Sequence, residues 1–145
     1  DLQRFLPYRI AVLAEAVSQC LAAVYGQRFG LGRDEWRVLA ALAEAGTVKT
    51  AQVIESTTLE KMQVSRAVAR MEGQGLVERL ADPDDGRGWL LRLKPAGRAM
   101  YQKIVPLVQA REAFMLDALD ATEREVLDRA LDKLLDRARL LSRQR

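Results

Sequence analysis

The sequence predicts a mainly α-helical chain with one small β-hairpin, an α+β fold class. Apolar residues recur at the three- and four-residue spacing of amphipathic helices over most of the 145 residues. The pattern changes at residues 76–93, where two short runs typical of strands flank an acidic, glycine-containing turn. This order favours a winged helix-turn-helix core with further helices at its N- and C-terminal ends.

The central helix of that core is predicted to begin near residue 57 and to end at the glycines 73 and 75. Thr57 and Glu60 have the spacing of a capping box, in which each side chain satisfies an unpaired amide of the first turn. An apolar stripe follows at helical spacing: Val64, Ala67, Val68 and Met71. Polar side chains occupy the remaining faces, at Lys61, Gln63, Ser65, Arg66 and Arg70.

The hairpin is predicted from two strand-like runs, residues 76–80 and 89–93. Residues 82–88, Asp-Pro-Asp-Asp-Gly-Arg-Gly, are dense in residues that favour turns. We therefore expect a loop of this length with Arg87 at its tip. Pro95 stands where the first turn of the next helix tolerates a missing amide.

Amphipathic patterns predict the remaining helices at residues 5–25, from Trp36 to Gly46, at 50–56, at 95–119 and after the capping pattern Asp120-x-x-Glu123. The last helix carries a narrow stripe typical of helix-helix contacts, at Leu127, Leu131, Leu134, Ala138 and Leu141. The first and last helices are too apolar for one small globule to cover both, which favours a homodimer. Packing of the stripe within one subunit remains the alternative.

Composition limits the classes of function. The chain has the length of one domain and a net charge of +3. It contains a single cysteine, which excludes an intramolecular disulfide. It contains no histidine, the commonest general base and metal ligand, and no phosphate-binding or catalytic motif. We therefore expect neither an enzyme nor a cofactor or metal site. No apolar run appears long enough to cross a membrane and no leader opens the chain, which predicts a cytoplasmic protein.

A helix and a hairpin that emerge side by side can enter neighbouring grooves of double-stranded DNA, although each feature alone is more often a solvated surface. The segment resembles the core of the MarR family of bacterial transcription regulators. The similar motifs are Val64-Ser65-Arg66, Arg70-Met71-Glu72, Gly75-Leu76-Val77-Glu78-Arg79, Asp82-Pro83-x-Asp85-x-Arg87-Gly88 and Leu93-x-x-x-Gly97. Residues 29–39 are similar to the family's second helix and the segment that enters it.

The resemblance implies a single domain over residues 1–145, with a winged helix core at about 32–98. Residues 1–31 and 99–145 would form a helical dimerisation region. A two-fold dimer would place two recognition helices in successive major grooves, roughly 34 Å apart, on a pseudo-palindromic operator. In the family such an operator commonly overlaps a promoter, which favours repression.

Each candidate DNA contact is assigned by its chemistry. Arg66 and Gln63 suit base edges, because arginine reads guanine and glutamine reads adenine. Phosphate contacts are expected from Lys61, Ser65 and Arg70. Arg87 is the candidate for minor-groove insertion, with Asp85 holding its side chain extended.

The effector is expected to be a small aromatic or phenolic acid. The resemblance implies a crevice near Tyr8, Arg9, Trp36 and Arg37, which offer aromatic walls and partners for a carboxylate. Thiol sensing through Cys20 is an alternative, although the cysteine lies on an apolar stripe where thiols are usually inert. A helical dimer that serves as an interaction module and binds no DNA is the other alternative.

Overall fold

The computed structural model describes residues 1–143. A 3₁₀ turn at Leu2–Arg4 precedes the helices α1 (Leu6–Phe29) and α2 (Arg33–Ala45), the short strand β1 (Val48–Lys49) and the helices α3 (Thr50–Thr57) and α4 (Lys61–Gly73). The hairpin strands β2 (Val77–Asp82) and β3 (Asp85–Leu93) follow, and then α5 (Pro95–Leu116) and α6 (Ala121–Ser142). The predicted fold class, mainly α with a small hairpin, is confirmed.

The hairpin is part of a three-stranded antiparallel sheet in the order β1-β3-β2. The two-residue strand β1 was not predicted, because Val48 and Lys49 are too few for a periodic pattern. Val48 pairs with Leu91 of the central strand. This pairing connects the start of α3 to the hairpin.

The sheet and α2, α3 and α4 surround one apolar core, which lies in the first of two compact units, Asp1–Val108. The predicted stripe of α4 is confirmed, because each of its four apolar side chains is at most 2% exposed. Full burial of a Val or Met side chain contributes about 1.5–3 kcal/mol. The stripe therefore fixes how α4 is rotated, and it turns the polar face of the helix toward solvent.

The predicted capping box at Thr57 and Glu60 is wrong. Thr57 is the last residue of α3, and its buried hydroxyl donates to the Val53 carbonyl at 2.7 Å. Thr58 then adopts a left-handed conformation with φ of 61° and ends that helix. Glu60 is the N-cap of α4, and its amide donates to Gln63 Oε1 at 2.9 Å. The hydroxyl of Thr57 donates within α3 and accepts the Leu59 amide at 3.4 Å, so it does not cap α4.

The predicted long loop of the hairpin is also wrong. The strands continue to Asp82 and Asp85, which pair with each other, so only Pro83 and Asp84 form the turn. Buried Asp82 tightens it, because its Oδ1 accepts the Asp84 amide at 2.9 Å. Ala81 pairs with Trp89 while the next residue pairs with Asp85, which leaves residues 86–88 as a bulge in β3. Arg87 lies in this bulge and not at the tip.

The second compact unit begins at Gln109 and contains the end of α5 and all of α6. The predicted capping box of α6 is confirmed. The Glu123 amide donates to Asp120 Oδ1 at 2.8 Å, and the Asp120 amide donates to Glu123 Oε1 at 3.0 Å. The described part of α6 has no buried residue, so its leucine stripe is exposed in the protomer.

Helix α1 has an unexpectedly apolar composition. Within residues 1–143 it is the one helix that is long and apolar enough to cross a membrane by length and composition, with a mean hydropathy of 1.3 over 18 residues. The expectation that no segment reaches this level is therefore wrong. Only 11% of that window is buried inside the protomer. The first half of α1 thus exposes a large apolar surface.

Gly97 of α5 provides a test of core packing. An added Cβ would lie 2.2 Å from the carbonyl oxygen of Leu76, which already accepts the Lys94 amide at 2.9 Å. We expect Gly97→Ala to lower the free energy of unfolding by about 1–3 kcal/mol, because backbone must shift to admit the methyl group. Urea denaturation at fixed protein concentration measures the change.

Gly73→Ala is the matched control, since a Cβ at Gly73 would have no neighbour within 4 Å and alanine favours a helix. Equal stability of the two variants would show that the close approach of α5 to Leu76 is not required.

Candidate nucleic-acid interface

The exposed face of α4 carries the side chains that were predicted to meet DNA. Lys61, Gln63, Ser65 and Arg66 are all exposed, because the opposite stripe of the helix is buried. Gln63 also caps the helix, since its Oε1 accepts the Glu60 amide. The side-chain oxygen of Gln63 is therefore used in the helix cap. Its side-chain amide nitrogen is the group that remains to contact DNA.

Arg70 differs from the other cations of α4 because it forms an ion pair with α2. Its Nε donates to Oε1 of Glu35 on α2 at 3.2 Å, and its side chain is 49% exposed. Glu35 itself is buried. Sequence reasoning missed Glu35, because the two residues lie 35 positions apart and no local pattern connects them.

A groove separates the start of α3 and α4 from the hairpin. It is lined by polar and aromatic residues that include Lys49, Lys61, Ser65, Arg79, Arg87 and Trp89. The structure thus brings Lys61 and Ser65 of the helix to the same groove as Asp85 and Arg87 of the hairpin. Gln63, Arg66 and Arg70 do not line it.

Asp85 acts on the backbone of the bulge. Its Oδ1 accepts the Arg87 backbone amide at 3.1 Å, so the expectation that it holds the Arg87 side chain is not what the structure shows. A Cβ at Gly88 would lie 3.0 Å from Asp85 Oδ2, so a larger residue there would require the carboxylate to shift. The exposed guanidinium of Arg87 is thereby presented by a backbone that Asp85 holds.

Sequence reasoning missed two further features of the groove. Trp89, predicted only as a strand residue, is 48% exposed. Its carbonyl accepts the Thr50 hydroxyl at 3.4 Å, which joins β3 to α3. Asp82 is nearly buried, and its Oδ2 lies 3.8 Å from Lys49 Nζ. Only the three-dimensional pairing of β1 with β3 brings Lys49 to this place.

A second groove lies between α1 and α2. Its walls come from apolar residues of α1 and from a polar end on α2, and they include Leu13, Val17, Tyr25, Arg33, Trp36 and Arg37. Trp36 and Arg37, which the resemblance implies near a ligand crevice, line this groove, and their role in ligand binding stays a prediction. Tyr8 and Arg9 lie on the exposed start of α1 and do not line the groove, whereas Tyr25 and Arg33 do.

Aromatic stacking forms one side of this groove. The ring centroids of Tyr25 and Trp36 are 5.6 Å apart, and those of Trp36 and Tyr101 are 5.9 Å apart, both with nearly parallel planes. Burial raises the pKa of Tyr25 above its usual value and outweighs the opposing effect of Arg33 and Arg37. The Tyr25 hydroxyl therefore stays neutral at physiological pH. Arg33 also pairs with Glu15 of α1 at 3.3 Å.

Two other expectations from the sequence concern metal binding and thiol sensing. Among residues 1–143, no group of three or more His, Cys, Asp or Glu side chains could bind a metal ion. Cys20 is partly buried on α1. Thiol sensing through Cys20 stays a prediction.

Comparison with known proteins places this geometry in a family. A sequence profile of the MarR family matches residues 29–88, which run from the end of α1 to the bulge. The fold matches a MarR/EmrR family transcriptional regulator of Acinetobacter sp. ADP1 with a TM-score of 0.87, at 25% identity, over 97% of this chain and 99% of that one. The chain belongs to the MarR family.

Two further proteins match this chain over most of their own length. The transcriptional repressor Rv2887 of Mycobacterium tuberculosis is 28% identical over 131 residues, 90% of this chain and 91% of that protein. BpsR of Bordetella bronchiseptica is 25% identical with a TM-score of 0.73, over 87% of this chain and 98% of that one. Its DNA binding is regulated by 6-hydroxynicotinic acid. These relatives are regulators and not enzymes, and the protein is a MarR-family transcriptional regulator.

Proposed function

We propose that the protein is a homodimeric repressor that binds a pseudo-palindromic operator and leaves it when a small aromatic acid binds between α1 and α2. One observation carries the DNA-binding part. Lys61 and Ser65 of the exposed face of α4 line the same groove as Arg87 of the bulge, so one approach to a duplex can bring both elements into contact. The similarity to the repressor Rv2887 supports the direction of regulation.

Helix α4 would enter the major groove. Arg66 is exposed and suits the acceptor pair of a guanine, whereas the amide nitrogen of Gln63 suits a single acceptor because its carbonyl caps the helix. Lys61, Ser65 and Arg70 would contact phosphates and set the register. Arg87 would enter the adjacent minor groove, where a narrow A·T-rich tract attracts a guanidinium.

Replacement of the bulge arginine tests the minor-groove role. We expect Arg87→Ala to weaken operator binding by about 1–3 kcal/mol at moderate salt, because it removes a cation from the groove wall without touching the core. Fluorescence anisotropy with labelled duplex measures the affinity.

Arg92→Ala is the charge-matched control on the same strand, since Arg92 pairs with Glu78 and does not line the groove. An equal effect of both substitutions would show that only net charge matters, and unchanged affinity for Arg87→Ala would remove the minor-groove contact.

Exposed apolar surface supports the homodimer. The first turns of the chain expose Leu2, Phe5, Leu6, Tyr8, Ile10, Val12 and Leu13. Helix α6 exposes Val126, Leu127, Leu131, Leu134, Leu135, Leu140 and Leu141, and Phe114 of α5 is 83% exposed. Large exposed apolar surfaces on soluble proteins mark interaction sites. A second copy of the chain would cover them, which also accounts for the membrane-like composition of α1.

Light scattering at micromolar concentration should therefore give the mass of two chains. Leu131→Glu should dissociate the dimer, because it places a charge in the apolar stripe of α6. Arg129→Glu lies on the opposite face of the same helix and should leave the mass at two chains. A wild-type chain that is folded and monomeric under these conditions would contradict the proposed assembly.

The groove between α1 and α2 has the chemistry for an aromatic carboxylate. Trp36, which stacks against the buried ring of Tyr25, offers an aromatic wall, and Arg33 and Arg37 offer guanidinium groups in the same groove. Arginine pairs with carboxylate through two parallel hydrogen bonds, which suits a planar acid. BpsR, whose DNA binding responds to 6-hydroxynicotinic acid, is a relative of matching fold. Tyr8 and Arg9 are omitted from the proposed site, because they lie outside the groove of the protomer.

The first measurement of function is an anisotropy titration with the DNA upstream of the protein's own gene. We expect a dissociation constant of roughly 10 nM or below at physiological salt, the usual range of specific binding. Addition of 6-hydroxynicotinic acid or 4-hydroxybenzoate should release the DNA. Arg37→Ala should bind DNA normally but lose the release, because it removes a partner of the carboxylate.

Arg28→Ala, which changes a cation of α1 outside the groove, is the control for that loss. Binding that is equal on a scrambled duplex and vanishes with salt would contradict the regulator and favour the helical interaction protein. Selective DNA binding that neither acid reverses would remove these two compounds as effectors and leave the DNA-binding role intact.

A further inference from the structure

We propose that Glu35 of α2 is a positioning residue for DNA binding, which orients the guanidinium of Arg70 toward a phosphate. The inference rests on the proposed DNA-binding function. Glu35 would not touch DNA itself, because its side chain is buried behind α4. Its effect would pass through the ion pair with Arg70.

The geometry of the pair is asymmetric. Glu35 Oε1 accepts two hydrogen bonds, from the Gly32 amide at 3.3 Å and from Arg70 Nε at 3.2 Å. Its other oxygen, Oε2, is buried and has no hydrogen-bond partner among residues 1–143. The side chain of Glu35 is only 9% exposed, whereas that of Arg70 is 49% exposed. A buried carboxylate thus holds a half-exposed cation by its inner nitrogen.

Capping of α2 does not by itself require a charge at this position. The third residues of α3 and α4 perform the same task as neutral amides, with Gln52 accepting the Lys49 amide at 3.0 Å and Gln63 accepting the Glu60 amide at 2.9 Å. A buried carboxylate is costly to desolvate unless a cation compensates it. In α2 that cation is Arg70, so the charge of Glu35 has a role beyond the cap.

The bond through Nε has a consequence for the rest of the guanidinium. Arginine carries five N–H donors in a rigid plane, and the bond to Glu35 uses the one nearest the helix. The bond to Glu35 does not use the four N–H donors of the terminal nitrogens, and the Arg70 side chain is 49% exposed. A side chain that is already oriented loses less conformational freedom when it binds a phosphate.

Glu35→Gln tests the proposal because two physical effects have opposite signs. Removal of an anion near DNA should strengthen binding if only net charge matters. A weaker anchor for Arg70, without the charge of the carboxylate, should instead weaken DNA binding, by roughly 2- to 10-fold for one side chain that is less ordered. Glutamine keeps the oxygen that accepts from Gly32 and from Arg70 Nε, but it removes the negative charge that strengthens the bond to Arg70. The cap of α2 is therefore retained while the anchor of Arg70 is weakened. Thermal unfolding checks that each variant retains the fold.

The dependence of affinity on salt provides a second readout that a structural role would not change. The slope of log affinity against log salt reports phosphate contacts, at about 0.9 per contact on duplex DNA. We expect Arg70→Gln and Glu35→Gln each to lower the slope by roughly one contact per protomer. Glu44→Gln is the charge-matched control, because Glu44 is exposed near the other end of α2 and should leave the slope unchanged.

A double-mutant cycle tests whether Glu35 affects DNA binding through Arg70. If Glu35 acts through Arg70, the double variant Glu35→Gln/Arg70→Gln should bind DNA no more weakly than Arg70→Gln alone. Additive losses, or an unchanged slope with a lowered unfolding temperature, would overturn the proposal and leave Glu35 a structural residue. Tighter binding by Glu35→Gln would overturn it as well.

Failure of the proposed function is a separate outcome. If the wild-type chain shows no preference between its own upstream DNA and a scrambled duplex, the operator-binding role falls. The same cycle is then measured on the scrambled duplex, because phosphate contacts supply non-specific affinity too. Coupling on that duplex would support the positioning of Arg70, and additive losses would overturn it.

Discussion

Burial of the apolar stripe of α4 is the constraint on which the rest of the structure depends. Val64, Ala67, Val68 and Met71 are almost completely inaccessible, and they pack in one core with residues of α2, α3 and the sheet. Rotation of α4 by a quarter turn would expose this stripe and bury the exposed cations. The orientation of Lys61 and Arg66 toward solvent is therefore a consequence of core packing. The helix can present charge because its other side is fixed.

The hairpin is held by carboxylates whose partners are mostly backbone amides. Asp82 accepts the Asp84 amide and closes the turn, and Asp85 accepts the Arg87 amide and shapes the bulge. These acidic residues lie in a groove that also contains four cations, Lys49, Lys61, Arg79 and Arg87. Their charges are compensated locally, in the case of Asp82 by Lys49. The backbone that carries Arg87 is therefore held by Asp85 in the bulge and follows a turn that Asp82 closes.

Helix α2 lies between the two candidate sites. Its first turns contribute Arg33, Trp36 and Arg37 to the groove with α1, and Glu35 from the same turns contacts Arg70 of α4. These side chains point to different neighbours because successive helical residues are rotated by about 100°. A single amphipathic helix thereby serves the core, the aromatic groove and the helix that carries the DNA-facing cations.

The sequence by itself determined the features that depend on local order. Helical spacing identified the buried stripe of α4 and its polar faces, turn-forming residues located the hairpin, and Asp120 with Glu123 marked the start of α6. Each of these signals lies within a few residues of the chain. The motifs that resemble the MarR family lie in the same segments, so the amino-acid sequence alone was enough to infer the family and its fold class.

Only the tertiary structure decided which partner each side chain takes. The spacing of Thr57 and Glu60 allowed Thr57 to cap α4, but Thr57 is the last residue of α3 and its hydroxyl donates to the Val53 carbonyl. Arg87 was predicted at the tip of the hairpin but lies in a bulge, because strand pairing extends to Asp82 and Asp85. Tyr25 and Arg33, and not Tyr8 and Arg9, line the groove with Trp36 because α1 and α2 meet there. Contacts between residues distant in sequence leave no periodic signal, so only packing of the whole chain specifies them.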